Sequence, residues 1–534
     1  MKKLQLAIDA TQKGKTIEHY WSKCVGAGRA NEGLRAAWQE QLRIAHEECG
    51  FEYIRFHGLF ADDMFVYREE KEKGPTYHWT YIDNLFDFII GIGMKPFVEV
   101  SFMPTDLATG TDTVFWWKGN ITPASDLKKW SDFVTAAVEH WIERYGIEEV
   151  LSWYFEIWNE PNLGGFWAGT KSEYFELYKS SVLAIKGIDS RLRVGGPATS
   201  NFVPDERFDG EREDFSKHAT FTVDDINQLN WHGVWIEDFL NYCTENQLPV
   251  DFVSTHPYPT DFALDGQKVP EGQKPRVQGR SRHKDSLKED LTWLKNVISN
   301  SIYKDAEIHL TEWSTSPSTR DYSHDYLPAA NYVVKSNIDN IGMTDSLSYW
   351  VFTDIFEENG GGPQAFHGGF GLMNMHGIKK PTFHAYRLLH RLGTEEIYRG
   401  EECIITKTEC GKIRGLIYNY ADELTDTVPI SAYPNHAKAE SYQEMGCDKQ
   451  ISIAIQGLKA GDEIEIEVLD LEHGAVTELW RKMDYPRNLT KQAEEELKQY
   501  SVSTMKEKYV VPADGIIHIN KTIAKWAIMS IVQI

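Results

Sequence analysis

Two glutamates stand beside tryptophans at the ends of short apolar runs. Glu160 follows an aromatic run that ends in Trp158, and Glu312 closes a second run just before Trp313. A carboxyl group held against indole rings resists ionisation and can donate a proton near neutral pH. A second carboxylate close by can act as the nucleophile. The two glutamates therefore predict the acid/base and nucleophile pair that cleaves glycosidic bonds.

These glutamates need a scaffold that brings the ends of distant strands together. From about residue 16 to residue 394, short apolar runs alternate with amphipathic segments, a pattern typical of parallel strands joined by crossover helices. The runs lie near residues 16–21, 51–57, 94–101, 151–159, 192–196, 250–257, 306–312 and 346–352. Helices are predicted over residues 33–49, 81–91, 126–145, 172–186, 234–246, 284–299, 327–341 and 382–392. The eight alternations predict an α/β fold, a (β/α)8 TIM barrel, with its catalytic side chains at the C-terminal ends of the strands.

The pattern changes after about residue 395. Apolar runs at 403–408, 412–420, 428–432, 451–455, 463–471 and 516–521 predict an antiparallel β-sandwich, and the charged stretch 488–499 predicts a short helical insertion. In the first fifteen residues Leu4, Leu6 and Ile8 alternate with other residues, which predicts an edge strand of the same module. The predicted domains are thus residues 1–15, an N-terminal strand joining the β-sandwich; 16–394, the catalytic barrel; and 395–534, the accessory β-sandwich domain.

Composition limits the partners that we expect. The chain of 534 residues carries 80 acidic and 56 basic side chains, a formal net charge of −24, which argues against a nucleic-acid partner. No stretch approaches the ~20 apolar residues of a membrane span. The N-terminus lacks the apolar segment of a signal peptide. We therefore expect no membrane partner and a cytoplasmic location.

Cysteine usage and ligand spacing argue against structural cross-links and metals. The cysteines are sparse and contain no CxxC pair, so neither a disulfide framework nor a zinc site is indicated. We expect free, buried thiols at Cys24, Cys49, Cys243, Cys403, Cys410 and Cys447. No cluster of His and Asp suggests a metal, and we expect neither a metal nor an organic cofactor.

Other predicted strand ends supply side chains of the kinds that bind sugars. Rings can stack on the apolar faces of a sugar, while carboxylates and imidazoles can bind its hydroxyls. Beside the two glutamates the candidates are His57, Asn159, His256, Tyr258, Trp350, Glu357, Glu358, Trp116 and Trp117. Of the adjacent Glu357 and Glu358 we expect one to be a surface charge or a salt-bridge partner. Two long connections, residues 201–230 and 260–282, should decorate the same mouth of the barrel.

Several of these segments together resemble glycoside hydrolase family 39, within the large clan of retaining (β/α)8 glycosidases. They are Phe-His-Gly at 56–58, Trp-Trp-Lys-Gly-Asn at 116–120 with Thr-Pro at 122–123, Glu-Ile-Trp-Asn-Glu-Pro-Asn at 156–162, Thr-His-Pro-Tyr-Pro at 255–259, Leu-Thr-Glu-Trp-Ser at 310–314 and Tyr-Trp-Val-Phe-Thr-Asp-Ile-Phe-Glu-Glu at 349–358. The resemblance spans residues 16 to about 394. The family includes bacterial β-xylosidases and α-L-iduronidases.

The resemblance implies a role for each matching residue. Glu160 would be the acid/base and Glu312 the nucleophile of a double displacement, which needs their carboxyl groups about 5–5.5 Å apart. Asn159 would bind the sugar 2-hydroxyl. His57, His256 and Glu358 would line the glycone pocket, and Tyr258 would support Glu312. The resemblance also implies a homo-oligomer, a tetramer or a dimer.

The leading functional prediction is an exo-acting β-D-xylosidase that releases xylose from the non-reducing ends of short xylo-oligosaccharides. Another exo-glycosidase of the family, releasing arabinose, galactose, glucose or iduronate, is the alternative, and endo action stays open. Iduronate would need basic partners; the cluster that offers them is Lys268, Lys274, Arg276, Arg280 and Arg282. A non-catalytic carbohydrate-binding protein is a third alternative, opposed by the aromatic surroundings that both glutamates share.

Overall fold

Eight parallel strands close into a barrel in the computed structural model, which describes residues 1–70, 73–203, 226–228, 230–260, 281–431 and 436–534. Each strand pairs with the next along the chain, and the last pairs with the first through Tyr349 and Val25. The strands are β1 (Cys24–Arg29), β2 (Tyr53–His57), β3 (Lys95–Val100), β4 (Tyr154–Ile157), β5 (Arg193–Ser200), β6 (Phe252–His256), β7 (Glu307–Trp313) and β8 (Ser346–Tyr349).

One long helix follows each barrel strand, and its apolar face packs toward the barrel. The helices are α1 (Ala36–Cys49), α2 (Thr80–Gly91), α3 (Leu127–Tyr145), α4 (Lys171–Ile188), α5 (Ile236–Glu245), α6 (Ser286–Ser299), α7 (Leu327–Asp339) and α8 (Pro381–His390). The predicted (β/α)8 barrel is therefore confirmed. Every predicted helix overlaps one of these, because the apolar side chains recur with the period of an α-helix.

The first barrel strand was predicted in the wrong place. Residues 20–22 form a 3-10 turn, and Lys15–Thr16 pairs with Glu395–Gly400 outside the barrel. The true strand, β1, has almost no large apolar side chain because there is no room for one. A Cβ added to Gly26 would lie 2.4 Å from the ring of Trp350.

Two further sheets form the C-terminal part of the chain together with its first residues. One contains Lys15–Thr16, Glu395–Gly400, Cys403–Lys407, Ile413–Tyr418, Ile528–Gln533, Glu463–Leu469 and Met505–Val510, in that spatial order. The other contains Lys2–Asp9, Lys449–Gln456 and Ile517–Ile523. Isoleucines from both sheets, among them Ile405, Ile453 and Ile531, form one buried cluster.

The prediction missed the strands Glu395–Gly400, Met505–Val510 and Ile528–Gln533 of this region and differs from the structure in two further details. The strand Lys2–Asp9 lies at the edge of its sheet, but it runs parallel to Lys449–Gln456 and not antiparallel. The strand predicted at 428–432 is absent over residues 428–431, where the backbone binds barrel groups instead: Ser431 N–H donates to Asp321 Oδ1 at 2.8 Å. Residue 432 lies outside the described residues.

Shorter elements complete the described chain. Three two-stranded ribbons pair Tyr67–Glu70 with Gly74–Tyr77, Thr113–Val114 with Gly119–Asn120, and Phe202–Val203 with His232–Gly233. The remaining helices are Ile147–Val150, His436–Glu444, Val476–Lys482 and Lys491–Ser501, and the last of these overlaps the predicted helical insertion. Most of the predicted mouth connections 201–230 and 260–282 lies outside the described residues.

The six cysteines are free, but they are not all buried. Cys24, Cys49, Cys243 and Cys403 are buried as expected, whereas Cys410 and Cys447 are exposed, so the prediction was wrong for these two. Cys410 follows the strand Cys403–Lys407, and Cys447 lies between the helix His436–Glu444 and the strand Lys449–Gln456. Within the described ranges, no helix combines the length and the apolar character that crossing a membrane requires.

Candidate active site

A layer of charge lies inside the barrel directly above a layer of rings. Tyr53, Phe97 and Tyr154 belong to a buried cluster on β2, β3 and β4. Side chains two residues apart on a strand face the same way. The next inward positions are therefore Arg55, Glu99 and Glu156, which are all fully buried or nearly so.

Arg55 connects this layer to the mouth of the barrel. Its Nε donates to Glu156 Oε2 at 2.5 Å, and its Nη2 lies 2.9 Å from Glu99 Oε2. Its Nη1 donates to Glu312 Oε1 at 2.8 Å and its Nη2 to Asn159 Oδ1 at 2.9 Å. Burial alone would lower the pKa of Arg55, but the surrounding carboxylates keep it above its ordinary value, so the guanidinium stays charged.

The two predicted catalytic glutamates face each other across the mouth. Glu160 follows β4 and is 6% exposed, and Glu312 lies on β7 and is 4% exposed. One oxygen of each carboxyl group and His256 Nδ1 lie within 4.8 Å of one another. Glu160 has a positive φ of 44°, and its N–H donates to Ala198 O at 2.9 Å, so a backbone contact to β5 supports this unusual conformation.

The surrounding side chains affect the protonation of the two carboxyl groups differently. Burial raises the pKa of Glu160 to about 7, against the opposing effect of a Ser200 contact and the charges of His57 and Arg55. Burial also raises the pKa of Glu312. Glu312, however, accepts from Arg55 and from the Tyr258 hydroxyl at 3.2 Å, and both donors stabilise its anion. The contacts thus favour the anion at Glu312, while Glu160, with a pKa of about 7, keeps a proton to donate near neutral pH.

His256 links Glu160 to the buried layer through a chain of hydrogen bonds. The Thr311 hydroxyl donates to Glu156 at 2.8 Å and lies 3.0 Å from His256 Nε2, so it accepts from that nitrogen. Burial lowers the pKa of His256 to about 4, so the ring is neutral. Its Nδ1 then carries a lone pair 2.9 Å from Glu160 Oε1. The donor in that contact must be the Glu160 carboxyl.

His57, in contrast to the neutral His256, is held in its protonated form. Its Nδ1 lies 2.7 Å from Glu99 Oε2, and its Nε2 lies 3.4 Å from Glu358 Oε1 and 3.6 Å from Glu312 Oε1. Burial alone would lower the pKa of His57, but these carboxylates raise it to about 10. The ring is therefore a buried cation. Trp350, 2% exposed, packs against it with the ring centroids 4.7 Å apart.

Besides the indole of Trp117, two candidate side chains have a buried polar atom without a hydrogen-bond partner among the described residues. They are Asn159, through Nδ2, and Glu358, through Oε1. The Glu358 oxygen is at charge-pair distance from His57 but outside hydrogen-bond geometry. A buried unpaired donor and acceptor are costly unless a ligand completes them.

The remaining candidates lie farther from the paired carboxyl groups. The carboxylate of Glu357 is bound by Arg29 and Arg35, which makes it a salt-bridge partner. Trp117 is partly buried, and the guanidinium of Arg29 lies 4.9 Å from its ring. Trp116 is 58% exposed at the rim.

The basic cluster considered for iduronate lies outside the described residues except for Arg282. That side chain is 1% exposed and is bound by Asp290 at 2.7 Å. Its guanidinium also lies 4.0 Å from the ring of Trp231. Asp290 therefore holds Arg282 Nη1, whereas its Nε and Nη2 have no hydrogen-bond partner among the described residues.

Among the described residues, one cluster of side chains has its ligand atoms close enough to hold a metal ion. It consists of Glu160, His256 and Glu312. The charged guanidinium of Arg55, 2.8 Å from Glu312, disfavours a cation beside that carboxylate. The donor set fits one carboxyl group that exchanges a proton and one that stays ionised better than it fits metal binding.

Arg55 is the main site residue that the sequence-based candidates omitted. A signal was present, because Arg55 lies two residues before His57 on a short strand and so shares its face. Thr311 and Glu156 were also omitted, because the candidates were taken from strand ends. Thr311 lies one residue before Glu312 and Glu156 four residues before Glu160, and both lie inside strands.

Comparison with known proteins agrees with this geometry. The model of the family described as glycosyl hydrolases family 39 matches residues 4–518. A β-xylosidase of Geobacillus stearothermophilus is 36% identical over 95% of this chain and 90% of its own length. A β-xylosidase of Caldicellulosiruptor saccharolyticus is 37% identical over 92% of this chain and 91% of its own.

A solved structure extends the similarity to the whole fold. The crystal structure of a GH39 enzyme from Xanthomonas axonopodis pv. citri superposes with a TM-score of 0.85 at 29% identity, covering 100% of this chain and 98% of that one. The resemblance seen in the sequence motifs is thus confirmed over nearly the full length. The chain belongs to glycosyl hydrolases family 39.

Proposed function

We propose that this glycoside hydrolase is a retaining, exo-acting β-D-xylosidase that releases xylose from the non-reducing ends of short xylo-oligosaccharides. The observation that carries the proposal is the close pairing of Glu160 and Glu312, with one oxygen of each within 4.8 Å of the other. Retaining enzymes place these groups about 5–5.5 Å apart, and inverting enzymes need about 6.5–9.5 Å to admit a water. The two β-xylosidase relatives support the choice of sugar.

In the first step the Glu312 carboxylate attacks the anomeric carbon, and the bond from that carbon to the leaving oxygen breaks. The Glu160 proton passes to the departing oxygen, which leaves as an alcohol. The products are a covalent glycosyl ester on Glu312 and an ionised Glu160. A carboxyl group with a pKa of about 7 is well suited to this proton transfer near neutral pH.

In the second step Glu160 removes a proton from a water molecule, whose oxygen attacks the same anomeric carbon. The ester bond to Glu312 breaks, xylose leaves with its original anomeric configuration, and Glu160 is again protonated. The departing Glu312 carboxylate is received by the same two donors, Arg55 at 2.8 Å and Tyr258 at 3.2 Å. These donors lower the energy of the anion both before and after the covalent stage.

Recognition of the sugar is assigned to the atoms that lack protein partners. Asn159 Nδ2 is a donor for the hydroxyl next to the anomeric carbon. Glu358 Oε1 is an acceptor for another hydroxyl of the same ring, and the charged His57 can donate alongside it. Trp350 keeps His57 in place from below. A sugar in this pocket would supply hydrogen bonds to the buried polar atoms that have none within the protein.

The two C-terminal sheets are proposed to form an accessory β-sandwich, since their facing isoleucines make one buried cluster. The domain limits 1–15, 16–394 and 395–534 and a homo-oligomer stay predictions.

The test is hydrolysis of a p-nitrophenyl glycoside panel by wild type, Glu160→Ala and Glu312→Ala. The panel contains the β-D-xyloside, α-L-arabinoside, β-D-glucoside, β-D-galactoside and α-L-iduronide. We expect the xyloside to be preferred and Glu312→Ala to lose at least about 10⁴-fold in kcat/KM. Glu160→Ala should lose roughly 10²- to 10⁴-fold in kcat, because p-nitrophenolate leaves without a proton but the second step lacks its base. Added azide should restore turnover of Glu160→Ala and give a β-xylosyl azide.

Each alternative gives a different result. Preference for another sugar with the same losses would overturn the choice of xylose and keep the catalytic pair. Activity that survives in Glu312→Ala would overturn the assigned nucleophile. Mass-spectrometric labelling of Glu312 by an activated 2-fluoro xyloside provides an independent check on that residue.

A further inference from the structure

The segment after β8 carries two adjacent glutamates that face opposite directions. Glu358 points into the mouth, with its Oε1 3.4 Å from His57 Nε2. Glu357 points away from it and is bound by Arg29 Nη2 at 2.9 Å and by Arg35 Nη1 at 2.5 Å. Because the two residues share one peptide bond, whatever holds Glu357 also sets the position of Glu358.

Glu32 holds the backbone of this segment from below. Its side chain is fully buried in the turn after β1. Its Oε1 accepts the Glu357 N–H at 2.8 Å, and its Oε2 accepts the Arg29 N–H at 3.3 Å. A Cβ added to Gly28 would lie 2.5 Å from Glu32 Oε2, so the carboxyl group packs against the Gly28 backbone, where no side chain would fit.

Arg29 ties the same segment to other walls of the mouth. It is 4% exposed, and besides Glu357 it binds Asp63, which follows β2. Its guanidinium lies 4.9 Å from the ring of Trp117, which follows β3. Arg29 is thus a junction of the loops after β1, β2, β3 and β8. The side chains of Arg29 and Glu32 make their hydrogen bonds and ion pairs to Asp63, Glu357 and the Arg29 N–H, and not to the two catalytic glutamates.

We propose that Arg29, Glu32 and Glu357 are positioning residues that fix the Glu358 carboxyl group against His57 and so set the affinity for the glycone. The proposal rests on the function proposed above, in which Glu358 contacts the sugar. The Glu358 carboxyl is paired in charge with His57 but has no hydrogen bond that fixes its Oε1, so its position depends on how its backbone is anchored. The Glu32 carboxyl and the Arg29 guanidinium supply that anchor. These residues act on the sugar through Glu358 and do not touch it.

The test compares Glu32→Gln and Glu357→Ala with wild type, each alone and combined with Glu358→Gln. In Glu32→Gln an amide NH2 replaces one oxygen and meets a backbone N–H, so one anchoring bond is lost with little change in volume. We expect KM for p-nitrophenyl β-D-xyloside and the inhibition constant of free xylose to rise together by about tenfold, with kcat within about threefold of wild type. The matched control is Glu444→Gln, whose side chain is 81% exposed and pairs with Lys525.

The Glu358→Gln background separates positioning from a general structural effect. If the anchor works through Glu358, adding Glu32→Gln or Glu357→Ala to Glu358→Gln should change KM by no more than about twofold. The same fold-change in both backgrounds would overturn the proposal, as would single variants with unchanged KM. Should Glu32→Gln fail to fold, Glu357→Ala carries the test, because that side chain lies at the partly exposed outer edge.

Failure of the proposed function is read from the wild type alone. A wild type that prefers another glycoside overturns the choice of xylose, and the comparison of KM values is then made on the preferred glycoside. A wild type that cleaves xyloside while the combined variants show independent effects overturns the positioning role alone.

Discussion

His256 Nδ1 lies 2.9 Å from Glu160 Oε1, and the neutral imidazole can only accept in this contact. A hydrogen bond to the protonated form of a carboxyl group favours that form and raises its pKa. The same ring also helps to exclude water from Glu160. The histidine thus favours the protonated form of Glu160, the proposed acid, by two additive effects, and its own charge is not required.

The first prediction follows from this contact. Activity should fall as pH rises through the pKa of Glu160, about 7, because the acid must be protonated at the start of the reaction. His256→Ala removes the acceptor and admits water, and both changes lower that pKa. The alkaline limb of the kcat/KM profile should therefore move to lower pH. An unmoved alkaline limb, measured with a poor leaving group, would contradict the role of His256.

The second prediction concerns Asn159, whose side-chain orientation is fixed by Arg55. Arg55 Nη2 donates to Asn159 Oδ1 at 2.9 Å, so the amide must present Nδ2 to the pocket. Asn159→Ala should lower kcat/KM for the xyloside by roughly 100-fold, the usual effect of losing one well-placed donor. The control is the 2-deoxy xyloside, which lacks the proposed acceptor. On that substrate wild type and Asn159→Ala should differ little, and an equal loss on both substrates would remove Asn159 from sugar recognition.

The sequence predicted the barrel and the ends of its strands because both depend on local pattern. Seven of the eight predicted strands overlap barrel strands, and the structure brings the predicted pair Glu160 and Glu312 together at the mouth. Strand β1 was predicted in the wrong place because its residues are chosen by side chains from other parts of the chain. Gly26 and Gly28 are small to make room for Trp350 and Glu32, which lie far along the chain or in the next turn.

Arg55 escaped for a related reason. Its importance depends on the register of β2 against β3 and β4, which brings Glu99 and Glu156 to the same level inside the barrel. No local pattern reports that register. The opposite directions of Glu357 and Glu358 likewise depend on Arg29, more than three hundred residues earlier in the chain. The sequence could predict only that one of the pair would be a salt-bridge partner.

The third prediction concerns the buried charge that holds the far end of the segment after β8. Lys380 is fully buried between Asp325 at 2.6 Å and Asp354 at 2.7 Å. Lys380→Met would leave two buried carboxylates without a cation, which should cost about 3–5 kcal/mol in the free energy of unfolding. Denaturant unfolding measures this loss. The control is the neighbouring Lys379→Met, which breaks a partly exposed pair with Glu48 and should cost at most about 1 kcal/mol.

The triple variant Lys380→Met, Asp325→Asn, Asp354→Asn distinguishes uncompensated charge from lost packing. Neutralising both carboxylates should recover much of the stability lost in Lys380→Met, because the buried negative charge is then gone. No recovery would mean that the cost arises from the shape of the site, including the contact of Lys380 with Gly369 O at 2.9 Å.

The fourth prediction places an acid-sensitive contact between the barrel and the C-terminal sheets. Glu467 lies on a C-terminal strand with its side chain 1% exposed, and it is bound by Arg387 at 2.5 Å and by Arg391, on and just after α8. Burial alone would raise its pKa, but these two guanidinium groups hold the pKa of Glu467 at about 2, below its ordinary 4.5. A carboxyl group with a lowered folded-state pKa stabilises the fold at higher pH and loses that contribution as pH falls from about 4.5 toward 2. Glu467→Gln should therefore lower stability at pH 7 and flatten the loss of stability over that acidic range. The measurement is the unfolding midpoint as a function of pH, with the exposed Glu444→Gln as control; a variant whose acidic slope matches wild type would contradict the assignment.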